Sequence, residues 1–275
     1  MPGYISARDY LARRISPEWT GGLEQLPSFV ERVKILSGGT GHVEIQVKRG
    51  GSISGSVTYS DGAPVPYVAL TPKVKLSDGN IADTHTGASH TDSSGHYRID
   101  GLLDGSYIIL GGIEGAIVPV FGGDQIGGSG LIIFGGDGMR PSKARVISVS
   151  GTHEYAGLDI TIPLVGVHEV GGAVTASDGH RLNHGLVRLY PTGEPRFSLA
   201  APLKADGTFS FHRIPADHYT IVVEDASDWR LDPKSDGGLH YEARTLVQRY
   251  GHASVNVSIA HSDLTNVSLV TSPIR

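Results

Sequence analysis

Thirteen histidines are the first residues of this chain that could do chemistry, because imidazole serves both as a metal ligand and as a proton carrier near neutral pH. His85, His90 and His96 share one loop-rich stretch with Asp83 and Asp92, so ligand types for a divalent ion sit close in sequence. Their spacing matches no zinc pattern, and no H-E-x-x-H occurs, so they read as exposed loop histidines. The pairs His180 with His184 and His212 with His218 read the same way. Two Phe-Gly-Gly-Asp turns, at 121–124 and 134–137, could offer carboxylate and backbone oxygens to Ca²⁺, but two carboxylates are too few for a tight site. No metal and no other cofactor is expected.

Nucleophilic chemistry finds no support either. Cysteine is absent, which removes thiolate catalysis, disulfides and zinc–thiolate sites together. No G-x-S-x-G occurs, and Gly51-Ser52-Ile53-Ser54-Gly55 has the wrong register for a nucleophile elbow and reads as a strand. No phosphate-binding G-x-x-x-x-G-K-[ST] is present. The expectation is a chain without catalytic residues. Aromatic faces are the remaining candidates, since they stack on sugar rings. Trp229, Tyr241 and Tyr250 lie in a polar connection with Asp228 and Asp232, and they form a candidate glycan-binding set. Against it, only 7% of residues are aromatic, and Trp229 could instead plug the end of a folded unit. Coplanar, exposed rings would favour the glycan; buried rings would favour a structural role.

Net charge narrows the partners. A formal charge of −5 and a pI near 6.2 give no basic footprint for nucleic acid or anionic lipid. The longest apolar stretches fall far short of the roughly 20 residues that span a bilayer. Met1 to Arg14 has no apolar signal-peptide core and carries Arg8, Arg13 and Arg14 instead.

The elements that would position any site are strands. In Ile53-Ser54-Gly55-Ser56-Val57-Thr58-Tyr59 the apolar side chains alternate, as a strand with one wet face requires. Gly55 falls in phase with Ile53 and Val57, which suggests a close backbone neighbour. The same period runs through 43–47, 97–99, 158–162, 209–211 and 255–259. Asp-Gly pairs at 61, 78, 104, 178 and 206 separate such runs and read as hairpin turns. Gly, at 38 residues, is accounted for by these turns. A helix is expected only over Ser6 to Arg14, with a short helical turn near Glu242 to Tyr250.

Two blocks repeat. Ile53 to Gly62 returns as Val170 to Gly179, and Asp92 to Tyr107 returns as far as Tyr219. Gly95, Tyr97, Ile99, Leu102 and Tyr107 map at one offset onto Gly207, Phe209, Phe211, Ile214 and Tyr219. The turns around Tyr97, Ile99 and Tyr107 are too short for anything but antiparallel neighbours, and Tyr107 and Tyr219 are expected to bury their rings and bond nearby backbone. A closing hairpin follows each copy, at Val146 to Ile162 and Val255 to Val270. Its shape appears a third time at Val33 to Val47, so residues up to about Lys48 read as the tail of a repeat whose head is missing.

The pattern resembles the carboxypeptidase regulatory-like (transthyretin-like) family: Gly55-Ser56-Val57, Asp61-Gly62, Asp92 to Tyr97, then Leu102-Leu103-Asp104-Gly105-Ser106-Tyr107, with a second copy from Gly172 to Tyr219. The second copy places Asp217 where the family has Gly, and some left-handed backbone strain is expected there. The resemblance implies an all-β chain of tandem Greek-key β-sandwich modules. Residues 1–49 would be the tail of an incomplete upstream repeat, with 50–164 and 165–275 as two sandwiches. It also implies a non-catalytic structural or interaction module, whose partners are neighbouring protein domains or, as the alternative, a glycan. Family habit places such arrays outside the cell or in the periplasm.

Overall fold

The structure is a computed structural model that describes residues 40, 49–77, 81–84, 88–113, 116–117, 127–128, 130–136, 139–231 and 244–274. The N-terminal helix and hairpin expected before Lys48 lie outside them. The described chain is all-β. Its first repeat carries β1 (Gly51–Tyr59), β2 (Ala69–Lys75), β3 (Ile81–Asp83), β4 (Ser89–His90), β5 (His96–Leu102), β6 (Gly105–Ile113), β7 (Ala116–Ile117), β8 (Gly127–Gly128), β9 (Leu131–Phe134), β10 (Ile147–Val149), β11 (Glu154–Tyr155) and β12 (Ile160–Ile162). The second carries β13 (Val167–Ala176), β14 (His184–Pro191), β15 (Leu199–Pro202), β16 (Thr208–Pro215), β17 (His218–Leu231), β18 (Arg244–Arg249), β19 (Ala253–Ser258) and β20 (Leu264–Thr271).

Each repeat folds as two sheets face to face. In the first, β1 lies between antiparallel β5 and the parallel strands β11 and β12. The opposing sheet runs β10-β6-β2-β3, with β9 also on β6 and β4 on β2. In the second, β16-β13-β20 faces a sheet ordered β18-β17-β14-β15, with β19 on β17. The period-2 pattern sets the facing: Tyr97 and Ile99 are buried on β5 while His96 and Arg98 are exposed. The two copies agree in detail. Val57 N–H bonds the Gly95 carbonyl as Val174 N–H bonds that of Gly207, and Tyr59 to Ala63 matches Ala176 to His180.

Three expectations about strand pairing and element type are corrected. β5 and β6, joined only at Leu103-Asp104, lie in opposite sheets and do not pair, and the same holds for β16 and β17. The short link makes a corner between layers, because each strand is claimed by a longer partner elsewhere. The closing hairpins are arches: β10 pairs β6 while β12 runs parallel to β1, and β19 pairs β17 while β20 runs parallel to β13. The helical turn near Glu242 to Tyr250 is strand β18 over its described part, where Thr245 and Val247 suit an extended backbone and the long β17 supplies a pairing edge.

Tyr107 and Tyr219 hold these corners. Each ring is buried, and each hydroxyl donates to a carbonyl four residues upstream, Leu103 at 2.8 Å and Pro215 at 2.9 Å. The left-handed residue expected at Asp217 is Arg213 instead, at φ 57, matching Gly101 at φ 75 in the first copy. Backbone conformation is thus kept across the repeat even where the glycine is not. Gly55 does meet another backbone: a Cβ there would lie 2.3 Å from the Leu158 carbonyl oxygen, and at the equivalent Gly172 it would lie 1.9 Å from that of Val267. Only a residue without a side chain lets the parallel partner approach so closely.

The sheet of β2, β6 and β9 is covered on both sides. Tyr107, Ile109, Leu131 and Ile133 point into the first sandwich, while Ile108, Leu110, Ile132 and Phe134 join the buried cluster of the second. The two sandwiches therefore share apolar packing through one layer.

Candidate functional site

Two places gather functional chemistry: the seam between the sandwiches, and the end of the second sandwich where β13, β14, β17 and β18 meet.

At the seam, the Phe134 ring meets Phe197 edge-on, with centroids 5.4 Å apart. Polar bonds ring this contact. Arg140, between β9 and β10, pairs through Nε with Asp217 Oδ2 at 2.8 Å and donates from Nη2 to the Ala216 carbonyl at 2.7 Å. Arg213 Nη2 donates to the Pro163 carbonyl at 2.8 Å, and Arg196 Nη1 to that of Ile81 at 3.3 Å. The short strands β7 and β8, which leave the first repeat, continue the second repeat's sheet through Ala200 and Gly128. Two grooves of about 380 and 390 Å³ flank Glu194 along this line. Its Oε2 is buried without a hydrogen-bond partner, and its carboxyl is pushed up first by burial and then by the Asp217 charge.

At the other end, His180 sits between two carboxylates. Its Nδ1 lies 2.6 Å from Asp178 Oδ1, and its Nε2 lies 2.7 Å from Asp228 Oδ2. The Tyr250 hydroxyl donates to the same Asp228 oxygen at 2.8 Å. Asn183 links the turn to β17, accepting from the Trp229 N–H at 2.9 Å and donating to the Trp229 carbonyl at 2.8 Å. The carboxylates of Asp228 and then Asp178 hold the His180 pKa above its ordinary value, since both favour the charged ring. Burial, then Asp228, pushes the Tyr250 hydroxyl up to about 12.

This cluster brings a histidine, carboxylates and a hydroxyl within bonding reach, which the sequence did not foresee. It is nonetheless a charge clamp. Both ring nitrogens face carboxylates, so a charged His180 has no lone pair to take a proton. The Tyr250 phenol is driven away from the ionised form that would attack. A second pair, His218 Nδ1 with Ser258 Oγ at 2.7 Å, is an exposed cross-strand contact. Among the described residues, no carboxylate hydrogen-bonds its other nitrogen.

Of the aromatic set, Trp229 is half-buried on β17, its Nε1–H tied to Ser227 Oγ at 3.0 Å and its ring edge-on to His184 at 70°. Tyr250 is only 8% exposed and spends its hydroxyl inside the clamp. Tyr241 lies outside the described residues, as do Asp232, His85 and the first Phe-Gly-Gly-Asp turn. His90 and His96 are exposed, and among the described residues no group of three or more His, Asp or Glu side chains is arranged to hold a metal ion. None of the described helices is long and apolar enough to cross a membrane.

The seam also carried an unread sequence signal. Tyr107-Ile108-Ile109-Leu110 and Leu131-Ile132-Ile133-Phe134 are unbroken apolar runs, the mark of strands buried on both faces. The clamp was signalled only by a divergence between copies, His180 standing where the first repeat has Ala63.

No family model and no curated protein matches the sequence. Among solved structures, the chain is similar to a minor pilin of Streptococcus agalactiae, at 10% identity and a TM-score of 0.35, over 82% of this chain and 97% of the pilin. The shaft pilin of Lactobacillus rhamnosus GG matches at 8% identity and a TM-score of 0.28, over 82% and 98%. The Bacillus anthracis TIE protein matches at 10% identity and a TM-score of 0.29; 82% of this chain aligns, spanning 34% of that protein's length.

Proposed function

We propose that this chain is a non-catalytic structural or interaction module of a larger secreted or cell-envelope β-sandwich array. The reading rests on the seam: the sheet of β2, β6 and β9 is buried on both faces, so the two sandwiches are packed as one unit. A flexible pair of binding domains would instead keep a wet interface and move independently. The clamp at His180 consumes its reactive groups in mutual bonds, as a structural device does. Partners on this reading are neighbouring protein domains.

Calorimetry of the full chain tests it. The two sandwiches should unfold in one cooperative transition whose calorimetric and van't Hoff enthalpies agree. Two separable transitions would remove the rigid-unit basis. Turnover of an ester or peptide substrate, abolished by His180→Ala in a chain that stays folded, would overturn the non-catalytic reading directly.

A further inference from the structure

The internal repeat allows the docking face of the first sandwich to be compared, position by position, with the same face of the second. Register fixes the equivalence. Thr71 pairs with Leu110 as Arg188 pairs with Val222, and Lys73 pairs with Ile108 as Tyr190 pairs with Thr220. In the first sandwich these outward positions are buried, Thr71 being 1% exposed, Lys73 6%, Ile108 2% and Leu110 1%, and Ile108 and Leu110 join the core of the second. Coverage there is close enough to bury the Thr71 hydroxyl without a partner.

In the second sandwich Arg188, Tyr190, Thr220 and Val222 are half-buried, with the Arg188 side chain 11% and its partner Glu224 33% exposed. The side chains around them form a polar lattice. Arg188 Nε bonds Glu224 Oε2 at 2.6 Å, Thr220 Oγ1 bonds Asn256 Oδ1 at 2.9 Å, and Ser254, Asn256 and Ser258 line the neighbouring strand exposed. The run Tyr219-Thr220-Ile221-Val222-Val223-Glu224 interrupts its apolar residues on the outer side, where Tyr107-Ile108-Ile109-Leu110 does not.

We infer that stacking in this chain is directional: the first sandwich carries a docking face, and the second presents the equivalent face in a polar, internally hydrogen-bonded form that accepts no further sandwich. Arg188 is already mostly covered, so another module laid on this face would strip the remaining water from the Glu224 carboxylate and from the Thr220–Asn256 bond without supplying new partners. The apolar gain at Thr220 and Val222 is too small to offset it. Repeat arrays end in members with a polar outer face for this reason. A module that follows in the chain would therefore be tethered to the second sandwich and not packed on this face. Stacking on the pattern seen here proceeds only from the first sandwich onto the second.

The test rebuilds the missing face. The full-length Arg188→Leu, Thr220→Ile, Glu224→Leu variant should keep its near-ultraviolet dichroism and self-associate in analytical ultracentrifugation, while wild type at equal concentration stays monomeric. A folded variant that stays monomeric would overturn the inference, as would wild-type self-association dissolved by Thr220→Arg. Hydroxyl-radical footprinting of wild type gives a readout independent of the variant's folding. Tyr190 should be labelled many-fold faster than the buried Tyr107 and Tyr219; protection of Tyr190 matching theirs would show the face to be occupied.

Discussion

Phe134 of the first sandwich meets Phe197 of the second at 78° between ring planes, 5.4 Å centroid to centroid, in an edge-to-face contact joining two halves of one repeat protein. Edge-to-face pairs contribute about 0.5–1.5 kcal/mol beyond the area they bury. Phe134 is 1% exposed, so Phe134→Ala should lower the unfolding free energy by about 3–5 kcal/mol in urea titration. Because the ring belongs to the shared layer, hydrogen exchange should rise in β6 and β16 together. A rise confined to the first sandwich would mean that the seam is a superficial contact.

The clamp makes stability depend on pH in a defined direction. A histidine held above its ordinary pKa contributes fully below its unfolded value, about 6.5, and loses that contribution as pH rises through the folded value. Asp178 is held below its ordinary value, first by the His180 N–H and then by the His180 ring. Its contribution is present above the unfolded value and fades as pH falls through the folded one. The stability difference between wild type and His180→Ala should therefore peak in mildly acidic solution and shrink toward alkaline pH. NMR titration should give His180 a pKa above 6.5 that falls in Asp228→Asn; an ordinary pKa for His180 in wild type would refute the clamp.

Among the described glycines, Gly172→Ala should be the most damaging added methyl. The added carbon would lie 1.9 Å from the Val267 carbonyl oxygen, where β13 and β20 run parallel. The nearest atoms are all Val267 backbone, which leaves nothing soft to move, so the cost should reach about 3 kcal/mol, the upper end for overpacking. Thermal melting compared with Ser210→Ala, on the neighbouring β16, would check it. Similar melting temperatures for the two variants would show that the strands can part.

Trp229 decides the glycan alternative. With its indole N–H tied to Ser227 and its edge against His184, the ring is not part of a flat aromatic platform. Its fluorescence should stay unchanged as soluble glucans are added, and Trp229→Ala should leave glycan-array binding as it was. A saturable spectral shift, lost in Trp229→Ala, would favour the sugar.

The sequence by itself determined the strands, the repeat and the local bonds. Alternation puts Tyr97 and Ile99 inward whatever lies beyond them, Gly55 needs a close neighbour, and Tyr107 and Tyr219 reach carbonyls only four residues away. Those are short-range consequences of covalent geometry and side-chain size. Only the tertiary structure decided which sheet each strand joins. It sends β5 and β6 into opposite layers despite their short link, and turns the closing hairpins into arches. It also moved the left-handed residue from Asp217 to Arg213, because φ follows the corner that the chain must turn and not the residue that the pattern names. The clamp joins His180 to Asp228 across 48 positions, and the seam joins Phe134 to Phe197. Pairings at such separation depend on how whole layers stack, and periodicity within one strand carries no information about the sheet that will cover it.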